Sequence, residues 1–168
     1  MKVADIQVGG FFHDSKAGVR EVLAIESDGA GMERVTYRIL SAKVMQEYSY
    51  VEQRMVSVIG SATSCHLTSF AAWAKTVLSK DECADLLNSM DARRIKLSPG
   101  ELAFMESALD EAGGVITKGT AITFDHTEGR AVSGLEKKGL VVRLTGEVEV
   151  TILGAAWFKN MVLARAAG

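Results

Sequence analysis

The chain has 168 residues, 48% hydrophobic and 24% charged, a balance that fills one core or two small ones and excludes wholesale disorder. Its 19 basic and 21 acidic residues leave a net charge of −2, so a nucleic-acid role has to rest on a local basic patch rather than on bulk charge. Two cysteines, Cys65 and Cys83, exclude a disulfide scaffold. No apolar run approaches the roughly 20 residues that span a bilayer, and MKVADIQVGG lacks a signal-peptide core. A cytoplasmic location without membrane contact is therefore expected.

Residues 3–60 read as strands. After Gly9-Gly10 and Phe11-Phe12, the segment 19–25 is β-branched and apolar. The turn cluster Asp28-Gly-Ala-Gly31 follows, and 34–40 alternates with Val35, Tyr37 and Ile39 on one face. These two segments predict a hairpin, and a further strand is expected over 54–59, ending at Gly60. Three to five short strands in this length imply a small antiparallel module, an SH3-like barrel or a bent sheet.

Beyond Gly60 the texture changes. Ser61-Ala-Thr-Ser64 reads as a loop, and 69–78 as a helix with Phe70, Trp73, Ala74 and Val77 on one stripe. Ser79-Lys-Asp-Glu82 has capping-box spacing and opens a second helix, whose buried positions are expected at Leu86, Leu87 and Met90. The basic run Arg93-Arg94-Ile-Lys96 is the candidate boundary.

Ser98-Pro-Gly-Glu101 is the strongest helix start in the chain. It combines a serine cap, proline at the first helical position and glutamate three residues after the cap. The apolar stripe of Leu102, Phe104, Met105, Ala108 and Leu109 ends at Gly113-Gly114. Segment 115–124 is β-branched and interrupted by glycine, and fits a short strand or an irregular helix equally. Thr127 is expected to cap a helix over 128–138, with Gly139 in the left-handed position behind it. Two alternating strands, 140–145 and 147–153, flank Gly146. A final helix, Ala155 to about Arg165, carries Trp157, Phe158, Met161 and Val162.

The stretch Thr127-Glu-Gly-Arg-Ala-Val-Ser-Gly-Leu-Glu-Lys-Lys-Gly-Leu-Val-Val142 resembles the winged-helix family of regulators, in which a recognition helix runs into a wing hairpin. Val150-Thr-Ile-Leu-Gly154 is similar to the family's close of the wing and start of the last helix. The resemblance covers about 55–60 residues. It implies a helix-turn-helix-type domain contacting DNA through Thr127, Arg130, Ser133, Gly134, Lys137, Lys138 and Arg143. Gly134 costs about 1 kcal/mol against alanine inside a helix, which close approach by DNA or by another helix would explain. Two departures stand out. Segment 115–124 is a poor second helix. From His126 to Gly146 the basic surplus is only two, with Glu147 and Glu149 adding negative charge to the wing.

Other signals are weak. Cys65-His66 lacks a third partner for nucleophilic chemistry. His13, His66 and His126 with the cysteines lack metal-site spacing. The glycines at 9, 10, 29 and 31 lie outside any phosphate-loop context, which suits turns. Phe11, Phe12, Tyr37, Tyr48 and Tyr50 read as core packing in preference to a nucleic-acid-binding aromatic face.

The sequence thus predicts an α+β chain: a β-rich module (1–62), a helical connector (63–96) and a winged-helix-like domain with a terminal helix (97–168). The expected function is a non-enzymatic DNA-binding regulator acting on double-stranded DNA, without metal or cofactor, and a homodimer through the terminal helix. A second class also fits the near-neutral charge. It is a phage- or plasmid-encoded protein-interaction factor, such as an anti-CRISPR or other defence inhibitor, which docks a protein target on the same domain.

Overall fold

In a computed structural model that describes residues 1–29 and 31–167, the two strands expected around 19–25 and 34–40 form the centre of an antiparallel sheet. The chain is mixed α+β and divides into two compact units, Met1–Leu87 and Asn88–Gly168. Among the described residues no helix is long and apolar enough to cross a membrane.

In the first unit the strands are β1 (Phe11–His13), β2 (Val19–Ser27), β3 (Glu33–Ser41), β4 (Gln46–Ser49), β5 (Arg54–Ser57) and β6 (Ala62–His66). Helix α1 (Leu67–Trp73) and strand β7 (Thr76–Leu78) follow, and the division between the units falls within helix α2 (Lys80–Arg94). Five strands pair in the order β6-β3-β2-β1-β7, while β4 and β5 form a separate hairpin. Of the expected turn cluster Asp28–Gly31, Ala30 lies outside the described residues. Asp28 accepts the Met32 N–H at 2.9 Å, and Gly31 takes a positive φ of 78°. The alternation predicted for 34–40 holds: Val35 and Tyr37 are buried, and with Phe12, Val22, Leu67 and Phe70 they build the core between sheet and α1.

Two expectations fail here. The helix predicted over 69–78 ends at Trp73, and Thr76–Leu78 pairs with β1. β-Branched Thr76 and Val77 suit a strand, and the open edge of β1 supplies backbone partners that no local pattern reveals. Val77 is accordingly exposed instead of lying on a buried helical stripe. The loop expected at 61–64 is mostly edge strand β6, whose small polar residues carry no alternation to detect. In α2 the Ser79–Glu82 capping box forms, with the Ser79 N–H donating to Glu82 Oε2 at 2.7 Å. Its buried residues are Cys83 and Ala92, whereas Leu86, Leu87 and Met90 are half-buried.

The second unit comprises α3 (Pro99–Glu111), β8 (Ala121–Thr123), α4 (Gly129–Lys137), β9 (Val141–Arg143), β10 (Glu147–Val150) and α5 (Ile152–Ala167). Its three strands pair antiparallel in the order β8-β10-β9. Segment 115–124, ambiguous in sequence, supplies β8. The core gathers Phe104, Met105 and Leu109 of α3, Val132 and Leu135 of α4, Val148 and Val150 of β10, and Phe158 of α5. α4 ends as expected: Gly139 has φ 73° and Leu140 donates to the Leu135 carbonyl at 3.0 Å, which places Leu140 in the core. Thr151 then donates to the Gly139 and Leu140 carbonyls and accepts the Gly154 N–H, starting α5. A side chain at Gly154 would overlap the Leu140 carbonyl oxygen, so only glycine fits there.

Candidate nucleic-acid interface

The site begins at the Ser98 cap. Ser98 Oγ accepts the Glu101 N–H, and the Ser98 N–H donates to Glu101 Oε2 at 2.6 Å. This box turns the Glu101 carboxylate inward, where it is 6% exposed and meets Lys138 Nζ in a hydrogen-bonded ion pair. Burial pushes its carboxyl up, but the Lys138 and Ser98 hydrogen bonds and the Lys138 charge outweigh that and hold it below its ordinary value.

The turn before α4 differs from expectation. Thr127 does not cap the helix; its hydroxyl donates to Asp125 Oδ1 at 2.6 Å. Asp125 also accepts the Glu128 N–H, while Glu128 Oε2 accepts the Asp125 N–H, so the reciprocal box lies one turn earlier. These bonds hold the Asp125 carboxyl below the ordinary aspartate value, led by the Thr127 hydroxyl.

Facing the start of α3, one side of α4 lines a groove of about 700 Å³. Ser98, Gly100 and Phe104 form one wall, and Thr127, Arg130, Gly134 and Lys137 the other. Gly134 is half-buried, and a Cβ there would overlap Glu101 Oε1, so close approach of α3 accounts for this glycine within the fold. Ser133 is also half-buried: it donates to the Gly129 carbonyl and accepts from Arg143 at 2.8 Å.

The seven expected contact residues therefore separate into two sets. Arg143 points from the wing back to α4, bonding the Gly129 carbonyl and Ser133, pairing with Glu136 at 3.8 Å and lying over the Phe124 ring. Lys138 is engaged by Glu101. Arg130 and Lys137 are exposed and carry no hydrogen bond or ion pair within the described residues. They stand about two turns apart on one stripe, with Thr127 beyond them. Sequence reasoning missed Ser98, Gly100 and Glu101 as groove residues. Their capping signal was legible, but nothing local linked Glu101 to a lysine 37 positions away.

The weaker candidates resolve simply. Cys65 and His66 are consecutive strand residues on opposite faces, and burial pushes the Cys65 thiol up, away from the reactive thiolate. Phe12 and Tyr37 are core, whereas Tyr48 and Tyr50 are exposed on the β4–β5 hairpin. No family model, curated protein or solved structure matches the chain.

Proposed function

We propose that the second unit is a winged-helix-type module binding double-stranded DNA, with α4 as the groove-facing helix and the β9–β10 ribbon as the wing. The element order α3-β8-α4-β9-β10 supports this reading, with β10 central in the sheet. The observation that carries it is the Arg130–Lys137 stripe: two cations without partners among the described residues on the exposed side of α4, beside the start of α3, whose dipole also favours an anion. Lys138 and Arg143 act differently, fastening α4 to α3 and the wing to α4. The N-terminal module would then serve ligand or partner binding, and exposed Val162 and Leu163 on α5 suit self-association.

Fluorescence anisotropy on duplex DNA over a salt series tests the reading. Binding at low salt is expected, with Arg130→Ala and Lys137→Ala each lowering the log–log salt slope by about 1. Arg143→Ala should lower stability while changing that slope less. Absence of binding to any duplex at low salt overturns it.

A second reading, the protein-interaction factor of phage or plasmid type, is favoured by the β4–β5 hairpin. Tyr50 is 88% and Val51 95% exposed at its tip, with Val44, Tyr48 and Met55 also open to solvent. A nuclease-resistant, stoichiometric protein partner that is lost in Tyr50→Ser/Val51→Ser would support it over the first.

A further inference from the structure

The first unit contains a cation in a place where the strand pattern calls for an apolar residue. Arg20 lies on the α1-facing side of β2, paired across the sheet with Phe12 on one side and Ile39 on the other. The β2–β3 register shifts between Val19 and Arg20, an irregularity of the kind that re-aims a side chain. Its guanidinium carbon stands 3.8 Å from the Trp73 ring centroid and 4.4 Å from that of Tyr37, with Phe70 at 5.9 Å. Rings attract the charge but leave the in-plane N–H donors unanswered.

Those donors have no acceptor within the described residues: Arg20 makes no hydrogen bond and no ion pair. On the same sheet Arg38 bonds Glu21 at 3.1 Å and Arg34 bonds Ser64. The carboxylate whose charge reaches Arg20 is Asp14, but it forms no hydrogen bond or ion pair with Arg20 within the described residues; its Oδ1 accepts the Lys16 and Gly18 N–H groups at 2.8 and 2.9 Å. The Tyr37 hydroxyl, on a residue 7% exposed, also makes no hydrogen bond within the described residues. A half-buried guanidinium flanked by two rings, with no acceptor on its fork among the described residues and a phenol ring beside it, suits recognition of an oxyanion.

We propose that Arg20, positioned by Trp73 and Tyr37, binds the carboxylate or phosphate of a small anionic ligand, with the Tyr37 hydroxyl as a second donor. This site is separate from α4 and independent of the DNA-binding reading.

Trp73 provides the readout once the other tryptophan is removed by Trp157→Phe in the 168-residue chain. Inorganic phosphate and acetate are titrated separately against chloride at constant ionic strength. A saturable change in Trp73 emission is expected with at least one of them, and the one that saturates identifies the head group. Arg20→Lys should weaken it about tenfold and Tyr37→Phe about fivefold. Arg20→Met should abolish it, and circular dichroism checks that each variant is folded; should the methionine variant unfold, the lysine variant decides. No saturable change with either anion, or one equally strong in Arg20→Lys, overturns the proposal.

Discussion

In the second unit Glu101 is buried and its charge is answered, by the Ser98 N–H and by Lys138. In the first unit Arg20 is half-buried against Tyr37 and Trp73, and its donors are not answered within the described residues. The two cases separate two uses of a charge removed from water. A charge enclosed by complementary partners fastens elements together, and deleting one partner strands the other. A charge held by rings alone keeps its directional bonds in reserve.

The largest effect expected from breaking this contrast is at Lys138. Lys138→Met leaves the Glu101 carboxylate buried without its cation and should destabilise the second unit by about 2 kcal/mol, less than for a fully enclosed pair because Lys138 is partly exposed. Arg20→Met should shift stability by about 1 kcal/mol or less, since lost ring contact is offset by relief of desolvation. Urea unfolding followed through single-tryptophan variants reads the units separately, Trp157 in the second and Trp73 in the first.

Acid sharpens the same comparison. The Glu101 pKa is lower folded than unfolded, so its stabilisation is present above the ordinary value of 4.5 and is lost as pH falls through the folded value. The Trp157 signal should therefore report a loss of stability below about pH 4.5, and Glu101→Gln should flatten that limb. The smallest expected effects are in the turn before α4, where Asp125 rather than Thr127 carries the reciprocal box. Asp125→Ala should lower the urea midpoint of the second unit slightly, and Thr127→Val, which removes only the hydroxyl that props Asp125, should lower it less still in the same unfolding assay.

Features set by a few neighbouring residues were legible. Ser98 and Glu101 sit three apart, Gly139 stands behind a helix, and residues 19–25 and 34–40 flank a glycine-rich turn; each carries its own signal. Features set by distant backbone were not. Strand β7 exists because β1 offers an open edge, and nothing between Thr76 and Leu78 states that. The site was legible in the same uneven way. The residues of α4 were identifiable, but which cations remain free depends on Glu101 and on Gly129 and Ser133 of the helix itself, and these pairings form only on folding. Arg20 looks like an ordinary polar residue in a strand, and only the sheet register turns it inward.

The junction between α4 and α5 also has a practical consequence. Thr151 clasps the carbonyls of Gly139 and Leu140, and Gly154 lies flush against the latter, so both ends of the segment carrying β9 and β10 are pinned together. The tip of that segment, from Leu144 to Gly146, is exposed. With the base fixed, added length at the tip costs only slowly growing loop entropy. Position 145–146 is thus a natural insertion point for an epitope or fluorophore-binding peptide, a label that would ride on the proposed wing while leaving its anchorage intact.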